Sequence, residues 1–470
     1  MKDHDSQKQA TLPNGLPKTP VGRWTRPFLR FMQIESAGGF VLLGCTVAAL
    51  VLANSAWSAA YTQIWQTSVG FAVGDFELSK PLLLWINDGL MTLFFFVVGL
   101  EIKHEIVAGE LRDRRKAALP VIAALGGMVV PALIYLSLQY GKEGQPGWGI
   151  PVATDIAFVV GFLALLGSRV PFGLKVMVLT LAIADDIAAV LVIAFFYATD
   201  ISLPALGFAA AGIGLTYFLN GIGVRRVAVY VVVGAGIWLA FLKSGVHPTI
   251  AGVILGLLTP ASAWVGDRRL TDVLSDVLQR LHRQSSSGEE SRHHRHQALG
   301  HLATSAREGI SPLERLELGL QPWVAFLIIP LFALANAGVT VELASIQSPV
   351  ALSVAAGLAL GKPLGIVLFS WAAVKLGLAR LPFGVNWKVM LGAGCLAGIG
   401  FTMSIFIAGL ALPKNLLDAG KIGTLIGSAL SAVTGCVLLL IFLPRGRRLP
   451  RKVQRNRDRN PREIQRGESE

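Results

Sequence analysis

Apolar residues fill this chain in long continuous blocks. Uncharged stretches run over 36–74, 117–141, 201–224, 244–266, 318–341, 389–413 and 422–444. Several reach the ~20 residues that carry a helix across ~30 Å of hydrocarbon. Barrel strands would alternate apolar and polar over about ten residues, whereas these runs are unbroken and rich in Ala, Leu, Gly and Val, which leaves helices as the spanning elements. The pattern predicts an all-α polytopic membrane protein. Twelve transmembrane helices are expected, at roughly 33–54, 82–101, 117–138, 148–166, 176–197, 203–220, 227–241, 245–259, 323–339, 350–373, 389–411 and 422–443.

Between the first two spans the pattern changes. In "TSVGFAVGDFELSK" Val69, Phe71 and Val73, then Phe76 and Leu78, alternate around Gly74-Asp75, which predicts an external β-hairpin at about 67–80. Its exposed edge could pair with a second copy to make a homodimer, or close on itself as a simple turn.

Composition sharpens the class. The 470 residues are 53% hydrophobic and 15% charged, with a mean hydropathy of +0.59. A water-soluble enzyme cannot hide so much apolar surface, and disordered, collagenous and disulfide-scaffold classes are excluded too. Cys45, Cys395 and Cys436 lie inside apolar segments without pairing or metal spacing and read as filler.

Charge then orients the chain. Of 42 Lys and Arg, 36 fall in the two tails and in the alternate loops that share their side, five fall in the opposite loops, and Lys362 lies within a span. By the positive-inside rule both termini are cytoplasmic. The basic tails, 1–32 and 444–470, flank a helical domain at 33–443 and supply most of the net charge of +13. Tails of this kind orient the chain and touch anionic lipid, so membrane lipid is the expected partner and nucleic acid is not. No signal peptide is evident, because the first apolar run follows a polar, Pro-containing segment. A cytoplasmic insertion at about 264–322 carries His293, His294 and His296 among Ser, Gly, Gln and Arg, and reads as a solvated linker more than as a metal site.

Charges inside the spans carry the chemistry. "PVATDIAF" holds Thr154-Asp155, "LAIADDIAAV" holds Asp185-Asp186, and "GLALGKPLGI" holds Lys362. Each mid-membrane charge costs roughly 2.5–3.5 kcal/mol to insert, about 10–14 kcal/mol for the four, comparable to the whole stability of a domain. An ion pair could absorb Lys362 and one Asp, but not three carboxylates. Asp185 and Asp186 point about 100° apart on a helix, so one can face a partner while the other faces a cavity. Burial and mutual repulsion oppose ionising both at once, so such a site holds protons or a small hard cation in competition. Carboxylate, hydroxyl and carbonyl oxygens suit hard cations, and no Cys or His lies beside them in sequence. Lys362 is the natural counterion and can give up its own proton when displaced. Gly147, Gly149 and Pro151 precede Asp155, and Gly398 and Gly400 punctuate "GAGCLAGIGFTMS". With charges nearby, these positions predict helix breaks whose dipole ends enter the bilayer.

Other motifs fail. "HEIVA" has Ala108 where a zinc protease needs its second His, "GLALGKP" lacks phosphate-loop spacing, and His247 is a lone histidine with a structural reading. The chain is expected not to be an enzyme and to need no cofactor.

The segments "WINDGLMTLFFFVVGLEIKHE", "PVATDIAFVVGFLALLGSRVP", "LAIADDIAAVLVIAFFY", "LKSGVHPTIAGV", "PLFALANAGV", "GLALGKPLGI" and "GIGFTMSIFIA" resemble, in order from about 33 to 443, the NhaA family of bacterial Na+/H+ antiporters. The resemblance implies inverted-topology repeats and two crossed, interrupted helices, the fourth and eleventh. It implies a multi-pass protein of the bacterial inner membrane that exports Na+ or Li+ for a larger number of protons, and is therefore electrogenic. Carried over, Asp186 is the principal cation and proton ligand, with Asp185 beside it, paired to Lys362, and Na+ held between the two Asp. Thr154 and Asp155 lie at the crossing, Asp155 balancing helix-end charge. Asp88, Glu101, His104, Glu105 and Glu317 resemble the family's funnel and pH-response residues. This chain departs from better-known members at His104, Leu318 and Gln321, where they carry an Arg on the second helix and histidines in the later stretch, so its pH set point does not follow from the resemblance.

Overall fold

The computed structural model describes residues 37–443 other than 75, 199, 225, 263–270, 272–274, 276–299 and 301–308. The two basic tails and the histidines at 293, 294 and 296 lie outside the described residues. What is described is mostly helix. The elements in order are α1 (Ala37–Ala53), α2 (Ser58–Gln66), the strands β1 (Ser68–Val73) and β2 (Phe76–Pro81), then α3 (Leu82–Val107), α4 (Arg115–Gln139), α5 (Gln145–Leu166), α6 (Phe172–Phe196), α7 (Leu203–Gly221), α8 (Val227–Ser244), α9 (Thr249–Leu258), α10 (Pro312–Asn336), α11 (Pro349–Lys375), α12 (Trp387–Ala397), α13 (Phe401–Ala411) and α14 (Lys414–Phe442). Among the described residues nine helices are long and apolar enough to cross a membrane, or eleven when the bent pairs α1–α2 (114°) and α12–α13 (48°) each count as one span. This is a polytopic membrane protein.

Among the described residues each apolar block supplies helix, because backbone groups in hydrocarbon must pair within their own segment, and only the end of the first block turns to strand. The differences lie at the ends. α9 has only ten residues, ~15 Å of helix and about half a bilayer core. α10 begins at Pro312, eleven residues before the expected span, so the last part of the insertion placed at 264–322 is helix. Its start is a capping box, in which the Ser311 hydroxyl accepts the Glu314 N–H and the Glu314 carboxylate accepts the Ser311 N–H. Glu314, Arg315 and Glu317 made this turn look like loop, but an amphipathic extension can run past the hydrocarbon and keep its charges in water.

The hairpin forms around Gly74, with Val69 opposite Lys80, Phe71 opposite Leu78 and Val73 opposite Phe76. Gly74 has φ 61°, the left-handed region that a tight two-residue connection demands. The hairpin is pinned to α3 by the Trp85 indole N–H, which donates to the Val69 carbonyl at 2.7 Å, and by Lys80 Nζ at 2.8 Å from Asp88 Oδ2.

Small residues let the helices that carry charge come close. A Cβ on Gly126 or Gly365 would strike the facing backbone where α4 meets α11, and one on Gly99 or Gly256 would do so where α3 meets α9. Wide π-type turns interrupt α3 at Trp85–Leu90, α10 at Val324–Ile328 and α11 at Gly357–Gly361, the last ending immediately before Lys362. Large apolar side chains such as Phe208, Phe218, Val232 and Leu360 are exposed, as lipid-facing residues must be, while the charged and hydroxylic residues of the candidate site are buried at the centre.

Candidate functional site

Two breaks build the site. In α5 a tight 3-10 limb, Gln145–Val152, gives way to the extended residues 153–155, and helix resumes over Ile156–Leu166. Between α12 and α13 the chain bends at Gly398–Gly400. Neither glycine is there for its backbone freedom, since both have ordinary right-handed φ, −69° and −92°. They are there for room. A Cβ on Gly398 would stand 2.5 Å from the Leu358 carbonyl oxygen, and one on Gly400 would stand 3.0 Å from that of Ala153. The two breaks are joined directly, the Asp155 N–H donating to the Ile399 carbonyl at 2.7 Å.

Asp155 caps two helices at once. Its Oδ1 accepts the Phe158 N–H at 3.4 Å, at the start of the second limb of α5. Its Oδ2 accepts the Thr402 N–H at 3.1 Å and the Thr402 hydroxyl at 2.5 Å, in the first turn of α13. Both helix starts present unpaired N–H groups and positive dipole ends, and one negative charge offsets both. Asp155→Ala is therefore expected to lower stability by ~2–4 kcal/mol, two caps' worth, read as the thermal unfolding of purified protein in detergent. An alanine variant as stable as the parent would show that the carboxylate does not cap.

The carboxylates of α6 lie beside this junction. Asp185 and Lys362 are both fully buried, with Lys362 Nζ 3.0 Å from Asp185 Oδ2. The same ammonium also donates to the Val152 carbonyl, at the end of the 3-10 limb. Thr154 Oγ1 lies 2.6 Å from Asp185 Oδ2 and 3.0 Å from the Ala397 carbonyl oxygen, and its single hydrogen can serve only one of them at a time. Asp186 is 3% exposed. One oxygen of each carboxylate, Asp185 Oδ1 and Asp186 Oδ1, is buried and has no hydrogen-bond partner. Such an atom is costly unless it takes a proton or a cation. Carboxylate oxygens, a hydroxyl and two carbonyls at helix ends thus converge in one buried place, an oxygen set for a small hard cation. Among the described residues no three His, Cys, Asp or Glu side chains converge as a ligand set for a resident metal.

The remaining sequence candidates separate into two places. At one end of α3, His104 Nδ1 lies 2.9 Å from Glu317 Oε2 of α10, Glu105 accepts the Glu110 N–H at 2.9 Å, and Glu101 sits one turn before. Asp88 stands apart, within the span. It lies thirteen residues from Glu101, ~20 Å along the helix, with Lys80 at 2.8 Å and His247 Nε2 at 3.8 Å. His247 also lies 2.7 Å from the Thr249 hydroxyl and stands edge-on to Phe406.

Sequence reasoning missed several hydroxyls. Thr402 holds Asp155, the Ser428 hydroxyl accepts the Phe401 N–H at 3.1 Å, and the Ser404 hydroxyl donates to the Ile150 carbonyl at 2.7 Å. Thr402 and Ser404 stand two and four residues after Gly400, so the break itself was the available signal. It also missed the reciprocal amide pair of Asn87 with Asn336, which joins α3 to α10.

A family model described as Na+/H+ antiporter 1 matches residues 29–439, nearly all of the helical chain. The chain belongs to that family. Among its Na+/H+ antiporter 1 relatives, the Na(+)/H(+) antiporter NhaA of Rhodopirellula baltica is 51% identical over 430 residues, covering 92% of this chain and 97% of that protein. The Na(+)/H(+) antiporter NhaA 1 of Acidiphilium cryptum is 48% identical, covering 92% and 96%. The Na(+)/H(+) antiporter NhaA of Rhizobium meliloti is 47% identical, covering 92% and 98%. Membership of the Na+/H+ antiporter 1 family makes the protein a transporter and not an enzyme.

Proposed function

We propose that this protein exchanges Na+ or Li+ for protons across the bacterial inner membrane, by competition of cation and protons for Asp186 and Asp185. The observation that carries the reading is the pair of adjacent buried carboxylates, each with an unpartnered oxygen, set against Lys362 where two interrupted helices meet. In the cation-free state Asp186 is protonated and Asp185 is paired with Lys362. A cation entering the carboxylate pair displaces the Asp186 proton and takes the place of the ammonium on Asp185. Lys362, left buried without a counterion, then releases its own proton. Two protons leave for one cation, so the cycle moves net charge and runs on the membrane potential. Thr154 supplies a neutral oxygen, Asp155 holds the two half-helices, and Gly398 and Gly400 allow their approach. Glu101, His104, Glu105 and Glu317 form the pH-responsive cytoplasmic entry, with Asp88 at the opposite face.

The same reading takes the architecture as twelve helices in inverted-topology repeats, with α5 and the α12–α13 pair crossed at their breaks. Residues 33–443 form the antiporter domain between cytoplasmic tails at 1–32 and 444–470, with the hairpin at 67–80 outside as a dimer contact and the 264–322 insertion inside. The Asp155 to Ile399 hydrogen bond supports the crossing, and the exposed hairpin edge supports the dimer.

The test is flux in proteoliposomes carrying a Na+ gradient and no proton gradient. An exchanger acidifies or alkalinises the lumen as Na+ moves, whereas a channel passes Na+ without protons. Apparent Na+ affinity is expected to weaken as pH falls, by up to about tenfold per pH unit for each proton displaced. An affinity constant from acid to alkaline pH would refute direct competition.

A further inference from the structure

The 3-10 limb of α5 ends in extended chain, so the carbonyls of its last turn find no partners in their own helix. Side chains of other helices supply the donors. Ser404 of α13 donates to Ile150 and Lys362 of α11 donates to Val152, while at the limb's start the Tyr197 hydroxyl, just past the end of α6, donates to the Pro146 carbonyl at 2.9 Å. Gly149 makes the seat for the tyrosine, since a Cβ there would stand 2.6 Å from its hydroxyl oxygen.

Two hydrogen-bonded paths therefore run from the limb to α6, beside the edge-on contact of Trp148 with Phe196. Near its start the tie is Tyr197 itself. At its end the tie runs from the Val152 carbonyl through Lys362 to Asp185, which α6 also carries. The two ties are six residues apart, ~12 Å at the 3-10 rise. They differ in kind. The tyrosine contact joins neutral groups and does not depend on what occupies the carboxylates. The lysine path reaches α6 only while the ammonium stays on Asp185, because that contact is its sole step from Nζ to α6. With the second path lost and the first intact, the site end of the limb keeps Ser404 of α13 at Ile150 and Thr154 at Asp185, while its far end stays on α6 through Tyr197. Loss of both leaves the limb unconnected to α6 through either path.

We propose that the Tyr197–Pro146 contact is the fulcrum on which the 3-10 limb turns when a cation takes the place of Lys362 at Asp185, which makes Tyr197 a positioning residue for exchange. This inference rests on the exchange reading given above.

Tyr197→Phe removes the hydroxyl and keeps the ring. In proteoliposomes its maximal Na+/H+ exchange rate, per folded protein, is expected to fall about fivefold, the factor that one neutral hydrogen bond is worth in a rate. Its equilibrium Na+ affinity, read from Na+ protection against thermal unfolding, is expected to change less than twofold. Tyr135→Phe is the control: that hydroxyl, on a fully buried ring, donates to Gly144, just before the limb, at 2.6 Å. Tyr135→Phe should lower thermal stability and leave the rate per folded protein unchanged. If Tyr197→Phe folds poorly, Gly149→Ala, which crowds the same hydroxyl, should slow exchange without moving affinity. Unchanged turnover in both Tyr197→Phe and Gly149→Ala, or equal slowing in Tyr135→Phe, would overturn the fulcrum. Wild-type vesicles measured alongside separate the two ideas: no exchange in wild type removes the exchange reading, whereas wild-type exchange with unaltered variants removes the fulcrum alone.

Discussion

In inverted membrane vesicles energised by respiration, Na+ or Li+ added to the parent protein is expected to dissipate the proton gradient, and in Asp186→Asn it is expected to leave the gradient intact. The effect should exceed about 100-fold in exchange rate, because the amide keeps the shape and loses the charge. A neutral oxygen cannot replace a carboxylate as the exchangeable ligand, and several kcal/mol of cation binding go with it. Stability should move the other way. Asp186 Oδ1 is buried without a partner, so removing the ionisable group is expected to leave the thermal unfolding temperature unchanged or raised. Loss of transport with loss of fold would mean that Asp186 is structural. Undiminished exchange in the folded variant would remove it from the site.

Lys362→Met should have the largest effect on stability. The ammonium is fully buried and serves two acceptors, Asp185 and the Val152 carbonyl. Its removal strands a carboxylate in low dielectric and leaves a helix-end carbonyl without a donor. Breaking a buried pair from one side costs about 3–5 kcal/mol, whereas removing both charges costs much less. Asp185→Asn added to Lys362→Met is therefore expected to recover most of the lost stability without recovering exchange. The measurement is a double-mutant cycle on thermal unfolding in detergent. Additive effects of the two substitutions would show that the pair is not energetically coupled. Together these predictions separate the two aspartates, one needed for turnover and the other bound to the lysine.

Much of this was legible in the sequence, and for identifiable reasons. Continuous apolar blocks fix helices because hydrocarbon offers backbone groups no alternative partner, and the two-residue alternation around Gly74 marked the hairpin, whose pairing of Val69 with Lys80 the structure then set. Asp155, Asp185, Asp186 and Lys362 announced themselves by cost alone, since a charge at membrane depth needs a reason to be there. Helix ends were less legible. Glu314, Arg315 and Glu317 resembled a loop, because a helix leaving the bilayer reads like any polar segment.

By itself the sequence determined that the chain is helical, that it lies in a membrane, and that a few charges must be buried within it, all consequences of local pattern and of the price of desolvation. Only the tertiary structure decided who meets whom. That Asp155 caps α13 as well as its own helix, that Lys362 joins Asp185 to Val152, and that Tyr197 holds Pro146 are contacts between residues 51 to 247 positions apart. They exist because two interrupted helices leave backbone groups unpaired at membrane depth. Those groups must find donors and acceptors wherever neighbouring helices bring them, and no one-dimensional pattern records which neighbour that will be.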